Sequence, residues 1–187
     1  MKIIGFSASP RKDGNTAWTI NKILEGAKEQ GAETQIWYSS ELDIKPCQSC
    51  FSCKKSDKGC IINDDMQQLY DAFENTDIIV LGSPVYMGQM SAQAKIFTDR
   101  LFPIFSPRFS PFFKDKNLIK KRLILVYTQG NPDSDLFKEY FNYTKKMFQI
   151  LEFDVKDTVI VAGMRSESAH ERKELHTTLK NIGSSLA

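Results

Sequence analysis

The sequence predicts an α/β protein built on a doubly wound sheet of five parallel strands, with helices covering both faces of the sheet. Two observations carry this prediction. Short apolar runs alternate along the chain with longer stretches in which apolar residues recur every three or four positions, and this alternation is typical of parallel strands joined by helical crossovers. In addition, the apolar run at 77–82 is continuous, as expected for a central strand covered on both faces.

The first half of the chain supplies the first elements in order. An apolar run at 2–6 is followed by a polar loop and then by a helix at about 15–30, in which apolar residues share one face until a glycine ends the pattern. The segment 34–38 alternates in polarity like a second strand. Acidic and amide residues at 63–65 can cap a helix whose apolar side extends to Phe73.

The second half continues the alternation after the buried strand at 77–82. The predicted elements are a helix at about 91–101, a strand at 122–128, a helix at 134–151, a strand near 155–162 and a closing helix from 169. Together these elements predict one domain that spans residues 1–187 and has three layers, helix, sheet and helix.

Composition narrows the class of protein. The 187 residues carry 25 basic and 23 acidic side chains, a formal charge of +2, which argues against a nucleic-acid-binding protein because such proteins show a clustered basic excess. A membrane-spanning helix needs about 18 consecutive apolar residues, and no apolar run in the sequence approaches that length. The N-terminal apolar stretch is too short for a signal peptide. We therefore expect a cytoplasmic protein without a membrane or nucleic-acid partner.

The first loop after a strand has the chemistry of a phosphate site. Ligands of doubly wound sheets bind beyond the carboxyl ends of the strands, and this loop runs directly into a helix N-terminus, whose free N–H groups and dipole favour an anion. Its polar residues are Ser7, Ser9, Arg11, Asn15 and Thr16. The loop matches neither the Walker pattern nor the glycine pattern of dinucleotide folds, so a mononucleotide phosphate fits better. The alternative is that serine and asparagine merely cap the helix.

Two further loops lie at the same predicted edge of the sheet. The loop at 83–91 combines rigid, aromatic and backbone-permissive residues, so it can place main-chain N–H groups along a flat heterocycle while Tyr86 covers one face. The alternative is an ordinary turn with Tyr86 in the core. The loop after the fourth strand contains Thr128, Gln129 and Gly130, and the glycine allows a ligand to approach the backbone closely.

All four cysteines lie within a loop at 44–63, as Cys47, Cys50, Cys53 and, after six intervening residues, Cys60. In a reducing compartment, clustered thiols are more often metal ligands or redox groups than structural disulfides. Thiolate-rich sites select iron-sulfur clusters or zinc. The repeated two-residue spacing favours the iron-sulfur cluster, although zinc remains an alternative.

Together these motifs resemble the NAD(P)H-dependent FMN reductase branch of the flavodoxin-like superfamily. The resemblance is carried by Gly5-Phe-Ser-Ala-Ser-Pro-Arg-Lys-Asp-Gly-Asn-Thr16 and by Ser83-Pro-Val-Tyr-Met-Gly88. It implies the strand order 2-1-3-4-5 and an FMN phosphate held by Ser7, Ser9, Arg11, Asn15 and Thr16. It also implies that the isoalloxazine and ribityl chain are lined by Pro84, Val85, Tyr86, Met87, Gly88, Thr128, Gln129 and Gly130.

The cysteine loop resembles that of the iron-sulfur flavoproteins, a subgroup that carries a compact four-cysteine motif between the second strand and the following helix. This resemblance implies that Cys47, Cys50, Cys53 and Cys60 ligate one 4Fe-4S cluster, and that the protein is a homodimer or homotetramer. The hypothesis is an electron-transfer flavoprotein: a carrier such as ferredoxin supplies electrons, which pass through the cluster to FMN and onward.

Two other functions remain open. Related flavin reductases keep partial cysteine sets without a cluster, so the protein can instead be a cluster-free NAD(P)H-dependent oxidoreductase that acts on FMN, quinones or another small-molecule acceptor. In that case the cysteines are reduced or linked by disulfides. The third possibility is a flavin-binding or zinc-stabilised interaction module.

Overall fold

The computed structural model describes residues 1–55, 59–104 and 121–187. Within these ranges the strands are β1 (Lys2–Ser7), β2 (Glu33–Tyr38), β3 (Ile78–Tyr86), β4 (Gln89–Met90), β5 (Arg122–Thr128) and β6 (Asp154–Val161). The α-helices are α1 (Asn15–Glu29), α2 (Ser52–Lys55), α3 (Met66–Glu74), α4 (Ala92–Arg100), α5 (Lys138–Ile150) and α6 (Lys173–Ser184). The same ranges contain short 3₁₀ helices at Ser39–Glu41, Phe102–Ile104 and Ala169–Glu171. Residues 56–58, which belong to the predicted cysteine loop, lie outside the described residues.

The five long strands form a parallel sheet in the order β2-β1-β3-β5-β6. The predicted order 2-1-3-4-5 is therefore confirmed, since β5 and β6 are the fourth and fifth long strands of the chain. The remaining described strand, β4, has two residues and pairs with the end of β3 in antiparallel orientation. The doubly wound flavodoxin-like architecture follows from this order and from the helices on both faces.

The β3–β4 hairpin was not predicted, and it corrects the second loop. Strand β3 continues to Tyr86, so residues 83–86, which were predicted to lie in the loop, belong to the strand. The chain then turns through Met87 and Gly88, whose φ angles are 48° and 78°, and returns as β4. Two consecutive positive φ values are the signature of a tight two-residue hairpin turn, but a methionine gives little sequence warning of one.

Two hydrophobic cores cover the two faces of the sheet. On one face, Ile3 and neighbouring strand residues pack against apolar residues of α1 and α6, including Ile20 and Leu179. On the other face, Ile4 and its neighbours pack against α3, α4 and α5, for example against Phe97. Adjacent residues of β1 thus face opposite cores, because successive side chains of a strand alternate. Double coverage explains the continuous apolar run of β3.

Helices α1 and α6 cross in backbone contact through two glycines. A Cβ atom at Gly183 would lie 1.9 Å from the carbonyl oxygen of Ile23, and one at Gly26 would lie 2.0 Å from the carbonyl oxygen of Lys180. No side chain fits at either position without separating the helices. The crossing holds α1, whose first turn lies at the carboxyl edge of the sheet, against the rest of the fold.

None of the helices in the described ranges has both the length and the apolar character that crossing a membrane requires.

The glycine crossing yields a stability prediction. Replacing Gly183 with alanine should lower the free energy of unfolding by about 3 kcal/mol, the upper end of the usual cost of overpacking, because the new methyl group collides with a backbone carbonyl that cannot rotate away. Urea denaturation measures the change. Asn181→Ala, an exposed position on the same helix, is the control and should stay within about 0.5 kcal/mol of the parent. Equal stability of the two variants would contradict the prediction.

Candidate functional site

The three predicted loops meet at the carboxyl edge of the sheet through buried hydroxyl groups. Thr16 Oγ1 and Thr128 Oγ1 share a hydrogen bond of 2.7 Å, which joins the first and third loops. Ser91 Oγ donates to the carbonyl oxygen of Ala8 at 2.6 Å, and Ser91 N donates to Ser83 Oγ at 2.9 Å. These bonds join the first loop to the hairpin. The three loops thus lie side by side at this edge of the sheet. We call residues 7–16, 83–91 and 128–130 the carboxyl rim.

The N-terminus of α1 opens onto this rim without a side-chain cap. The N-cap residue is Gly14, and the first turn contains no acidic residue. Asn15 does not cap its own helix, because its Oδ1 accepts a hydrogen bond from Ala169 N at 2.9 Å. Ser9 Oγ accepts from Arg11 N at 3.1 Å. The interpretation that serine and asparagine merely cap α1 is therefore wrong, and the first-turn N–H groups can receive an anion.

Two polar atoms of the rim are buried and unpaired. Ser7 Oγ and Gln129 Oε1 have no hydrogen-bond partner among the described residues, and the two residues are only 1% and 2% exposed. Leaving such an atom unsatisfied costs about 1–3 kcal/mol, so a ligand that pairs with it would be favoured. A hydroxyl suits an anionic oxygen and an amide oxygen suits an N–H donor. Both fit a phosphorylated heterocycle such as FMN.

The hairpin contributes an exposed tip. Pro84 is buried and faces Thr128 across β3 and β5, while Val85 packs on the core. Tyr86 is 45% exposed and Met87 fully exposed. The alternative that Tyr86 lies in the core is therefore wrong, and the side chains of Tyr86 and Met87 are open to a ligand.

A fourth loop at the same edge was missed. Arg165, which follows β6, lies over the third loop: its Cγ and Nε atoms would be 2.9 and 3.0 Å from a Cβ built on Gly130. Arg11 and Arg165 are both exposed, and neither guanidinium is paired within the described part of the chain. The position of Arg165 just after the last strand could have predicted this, because the carboxyl end of every parallel strand lies at this edge.

The four cysteines border one cavity of about 830 Å³. Its other walls come from β4, α4, the segment after α4 and α5, and include apolar side chains such as Met90, Tyr140 and Met147. All four thiols are free. Cys47 and Cys50 are exposed, Cys53 is buried and Cys60 is half-buried. The same cavity therefore reaches from the thiols to the hairpin of the carboxyl rim.

The thiols face the cavity on a tightly coiled backbone but are not gathered into a closed metal site. Ser49 and Phe51, on either side of Cys50, have φ angles of 53° and 58°, a conformation that costs non-glycine residues of order 1–3 kcal/mol and is common at functional sites. Across 1–55, 59–104 and 121–187, no three Cys, His, Asp or Glu side chains lie close enough together to hold a metal ion. The donor set is that of a soft metal site.

The environments of the individual thiols differ. Burial raises the pKa of Cys53, and the neighbouring Cys60, Cys47 and Cys50 act in the same direction, whereas Lys54 opposes them. Hydrogen bonding from Ser52 lowers the pKa of Cys50.

Comparison with known proteins agrees with this geometry. A sequence model of the family described as NADPH-dependent FMN reductase matches residues 1–134. An iron-sulfur flavoprotein of Methanosarcina thermophila is 43% identical over 100 residues, which are 54% of this chain and 52% of that protein. Another, of Methanocaldococcus jannaschii, is 40% identical over 104 residues, 56% of this chain and 53% of that protein. The match thus spans about half the length of these relatives.

The fold also matches a solved structure, that of an NAD(P)H:quinone oxidoreductase from Methanothermobacter marburgensis. The TM-score is 0.74 and the identity 14%, and the match covers 100% of this chain and 96% of that one. At this identity the likeness concerns the fold. The resemblance inferred from the sequence motifs, including the subgroup of iron-sulfur flavoproteins, is confirmed by these comparisons.

The exposure of the thiols predicts their order of alkylation. In metal-free, reduced protein, iodoacetamide should modify Cys47 and Cys50 before Cys53, because only the first two are open to solvent. Peptide mass spectrometry at successive times gives the order. In denaturant all four cysteines should react alike. Native-state modification of Cys53 as fast as that of Cys50 would contradict the described loop.

Proposed function

Because the chain belongs to the NADPH-dependent FMN reductase family, we propose that it is an FMN-dependent oxidoreductase whose cysteine loop holds a 4Fe-4S cluster. It passes electrons between a one-electron carrier such as ferredoxin and a further acceptor. The observation that carries the proposal is a cavity bordered both by all four cysteines and by β4, whose hairpin belongs to the carboxyl rim.

The rim residues divide into free and occupied groups. Ser7 Oγ and the first-turn N–H groups of α1 are free to bind the FMN phosphate, and Arg11 adds an unpaired positive charge. Thr16 Oγ1 shares a hydrogen bond with Thr128. Ser9 and Asn15 act as acceptors in their bonds, so the Ser9 O–H and the Asn15 Nδ2–H groups would remain donors for the phosphate. Tyr86, Met87, Gly88 and Gly130 would lie along the isoalloxazine, with Gln129 Oε1 as an acceptor for an N–H group.

The cysteines supply the ligands for the cluster. Four thiolates are the usual complement of a 4Fe-4S centre, and Cys47, Cys50, Cys53 and Cys60 are all free. When bound, FMN would supply one- or two-electron chemistry and the cluster one-electron chemistry. The protein then positions the two groups and limits access of water. No side chain needs to act as an acid or base.

The second candidate is a cluster-free NAD(P)H-dependent oxidoreductase that acts on FMN or quinones. It is favoured by the dispersed arrangement of the thiols, which leaves no assembled metal-binding group in the part of the chain that is described. A homodimer or homotetramer is part of either proposal, and the exposed apolar side chains of Tyr86 and Met87 offer surface for such a contact.

Anaerobic analysis separates these functions. After reconstitution with iron, sulfide and FMN, the protein should contain about four iron and four sulfide per chain together with FMN, as measured by chemical assay and visible absorption. Flavin without iron would transfer the assignment to the cluster-free reductase. Zinc in place of iron, or retention of neither cofactor, would contradict the proposal.

Ser7→Ala tests the phosphate site. The free energy of unfolding of the ligand-free protein should stay the same or rise by about 1 kcal/mol, because the substitution removes a buried hydroxyl that has no partner. FMN affinity should fall by about tenfold or more, since a hydrogen bond to a charged group is lost. Urea denaturation and fluorescence titration with FMN give the two values.

The matched control is Ser83→Ala. Ser83 Oγ accepts from Ser91 N, so its removal leaves a buried N–H unpaired and should destabilise the ligand-free protein by about 1–3 kcal/mol. If Ser7→Ala destabilises the protein as Ser83→Ala does and leaves FMN affinity intact, Ser7 is a structural residue and the phosphate assignment is wrong.

A further inference from the structure

A fully buried ion pair lies at the base of the cysteine loop. Arg100 Nη1 lies 2.5 Å from Asp64 Oδ2, and Arg100 Nη2 lies 3.0 Å from Asp64 Oδ1. The side chains are 1% and 0% exposed. The pairing is bidentate, the geometry in which a guanidinium fixes the orientation of a carboxylate most firmly. It joins the end of α4 to the residue that follows the cysteine loop.

The same pair closes the loop at its other end. Asp64 Oδ2 accepts a hydrogen bond from Lys45 N at 2.8 Å, and Arg100 Nη1 donates to Lys45 O at 2.7 Å. Both backbone groups of Lys45 are thus held by one ion pair. Next to it, Asp65 Oδ2 accepts from Asp43 N at 2.7 Å, and Asp65 N donates to Asp43 O at 3.2 Å. The two ends of the loop that contains all four cysteines therefore lie side by side.

The network extends to the last cysteine. Gln67 Nε2 donates to Cys60 O at 3.0 Å and to Ile62 O at 2.6 Å, while Tyr70 OH donates to Arg100 O at 2.5 Å. The position of Cys60 is thus tied to the ion pair through α3.

Stability alone is a poor explanation for this arrangement. Burying two charges carries a desolvation penalty that their attraction often fails to exceed, and apolar residues of similar volume are frequently as stable. An apolar pair could not hold both the N–H and the carbonyl group of Lys45. We therefore interpret the ion pair as a contact that fixes the position of the cysteine loop.

We propose that Asp64 and Arg100 are positioning residues that close the cysteine loop before any metal is present and so keep its four thiols along one cavity, where a metal can gather them. The inference rests on the proposed metal-binding role of the four cysteines. It assigns to the two residues no contact with the metal. Their effect is to leave fewer loop conformations to be excluded when the metal binds.

Cadmium(II) is the probe, because it binds convergent thiolates without sulfide and gives a ligand-to-metal absorption in the ultraviolet.

Three forms of the metal-free reduced protein are titrated with cadmium anaerobically: the wild type, the Arg100→Lys variant and the double variant Asp64→Asn with Arg100→Gln. The lysine keeps the charge but loses the two-pronged contact. The double variant leaves no unpaired buried charge and so keeps the protein folded. Both should bind cadmium about tenfold more weakly, because the backbone around Lys45 must then be ordered when the metal binds.

Arg172→Lys is the control. Arg172 fastens another loop through the carbonyl oxygens of Ala162, Gly163 and Glu167, next to β6 at the opposite edge of the sheet from β2. The Arg172→Lys variant should bind cadmium as tightly as the wild type does. FMN affinity and melting temperature, measured on all proteins, report any general loss of structure.

The outcomes are distinct. Weaker cadmium binding by both test variants, with FMN affinity unchanged, supports the inference. Wild-type cadmium affinity in both variants, or a parallel loss of cadmium and FMN binding, overturns it, and so does a wild type that binds no cadmium. A wild type that binds cadmium but assembles no cluster from iron and sulfide refutes the proposed cluster, while the comparison of variants still decides the role of the pair.

Discussion

Helix α4 is the part on which the rest of the site depends, because buried side chains fasten it at both ends. At its start, Ser91 Oγ accepts from Ala94 N as the helix cap and also donates to the carbonyl of Ala8. At its end, Arg100 is paired with Asp64. The two anchors are about 13 Å apart along the helix axis, given 1.5 Å per residue. One rigid element therefore relates the carboxyl rim to the cysteine loop.

This arrangement separates two tasks within a small protein. The rim is built from parallel strand ends and the N-terminus of α1, where backbone N–H groups and the hydroxyl of Ser7 have no partner within the described part of the chain. The cysteine loop is attached outside the sheet and is shaped by side-chain contacts with α3 and α4. Because β4 of the rim hairpin and the four cysteines line one cavity, the two regions adjoin there although different interactions build them.

The sequence predicts most of the sheet and the rim, since both follow from local pattern. Apolar runs set the five long strands, and chain order at the carboxyl edge brings Thr16 and Thr128 together. The hairpin turn at Met87 was not predictable, because a methionine at positive φ is set by tertiary context. The role of Asp64 was only partly foreseen: its Oδ1 does accept from Met66 N at 3.1 Å, as a helix cap would, but its main partner lies 36 residues away. Likewise the amide of Asn15 is occupied by Ala169, 154 residues along the chain.

The closed base of the cysteine loop also bears on the order of assembly. In small zinc domains the metal supplies the folding free energy, so the polypeptide and the ion must come together in one step. Here the two ends of the loop are joined by Asp64 and Arg100, and the sheet has its own two cores. Under the proposed function, the polypeptide can therefore fold first and receive its cluster afterwards. A cell that runs short of iron would then accumulate a folded precursor in place of an unfolded chain.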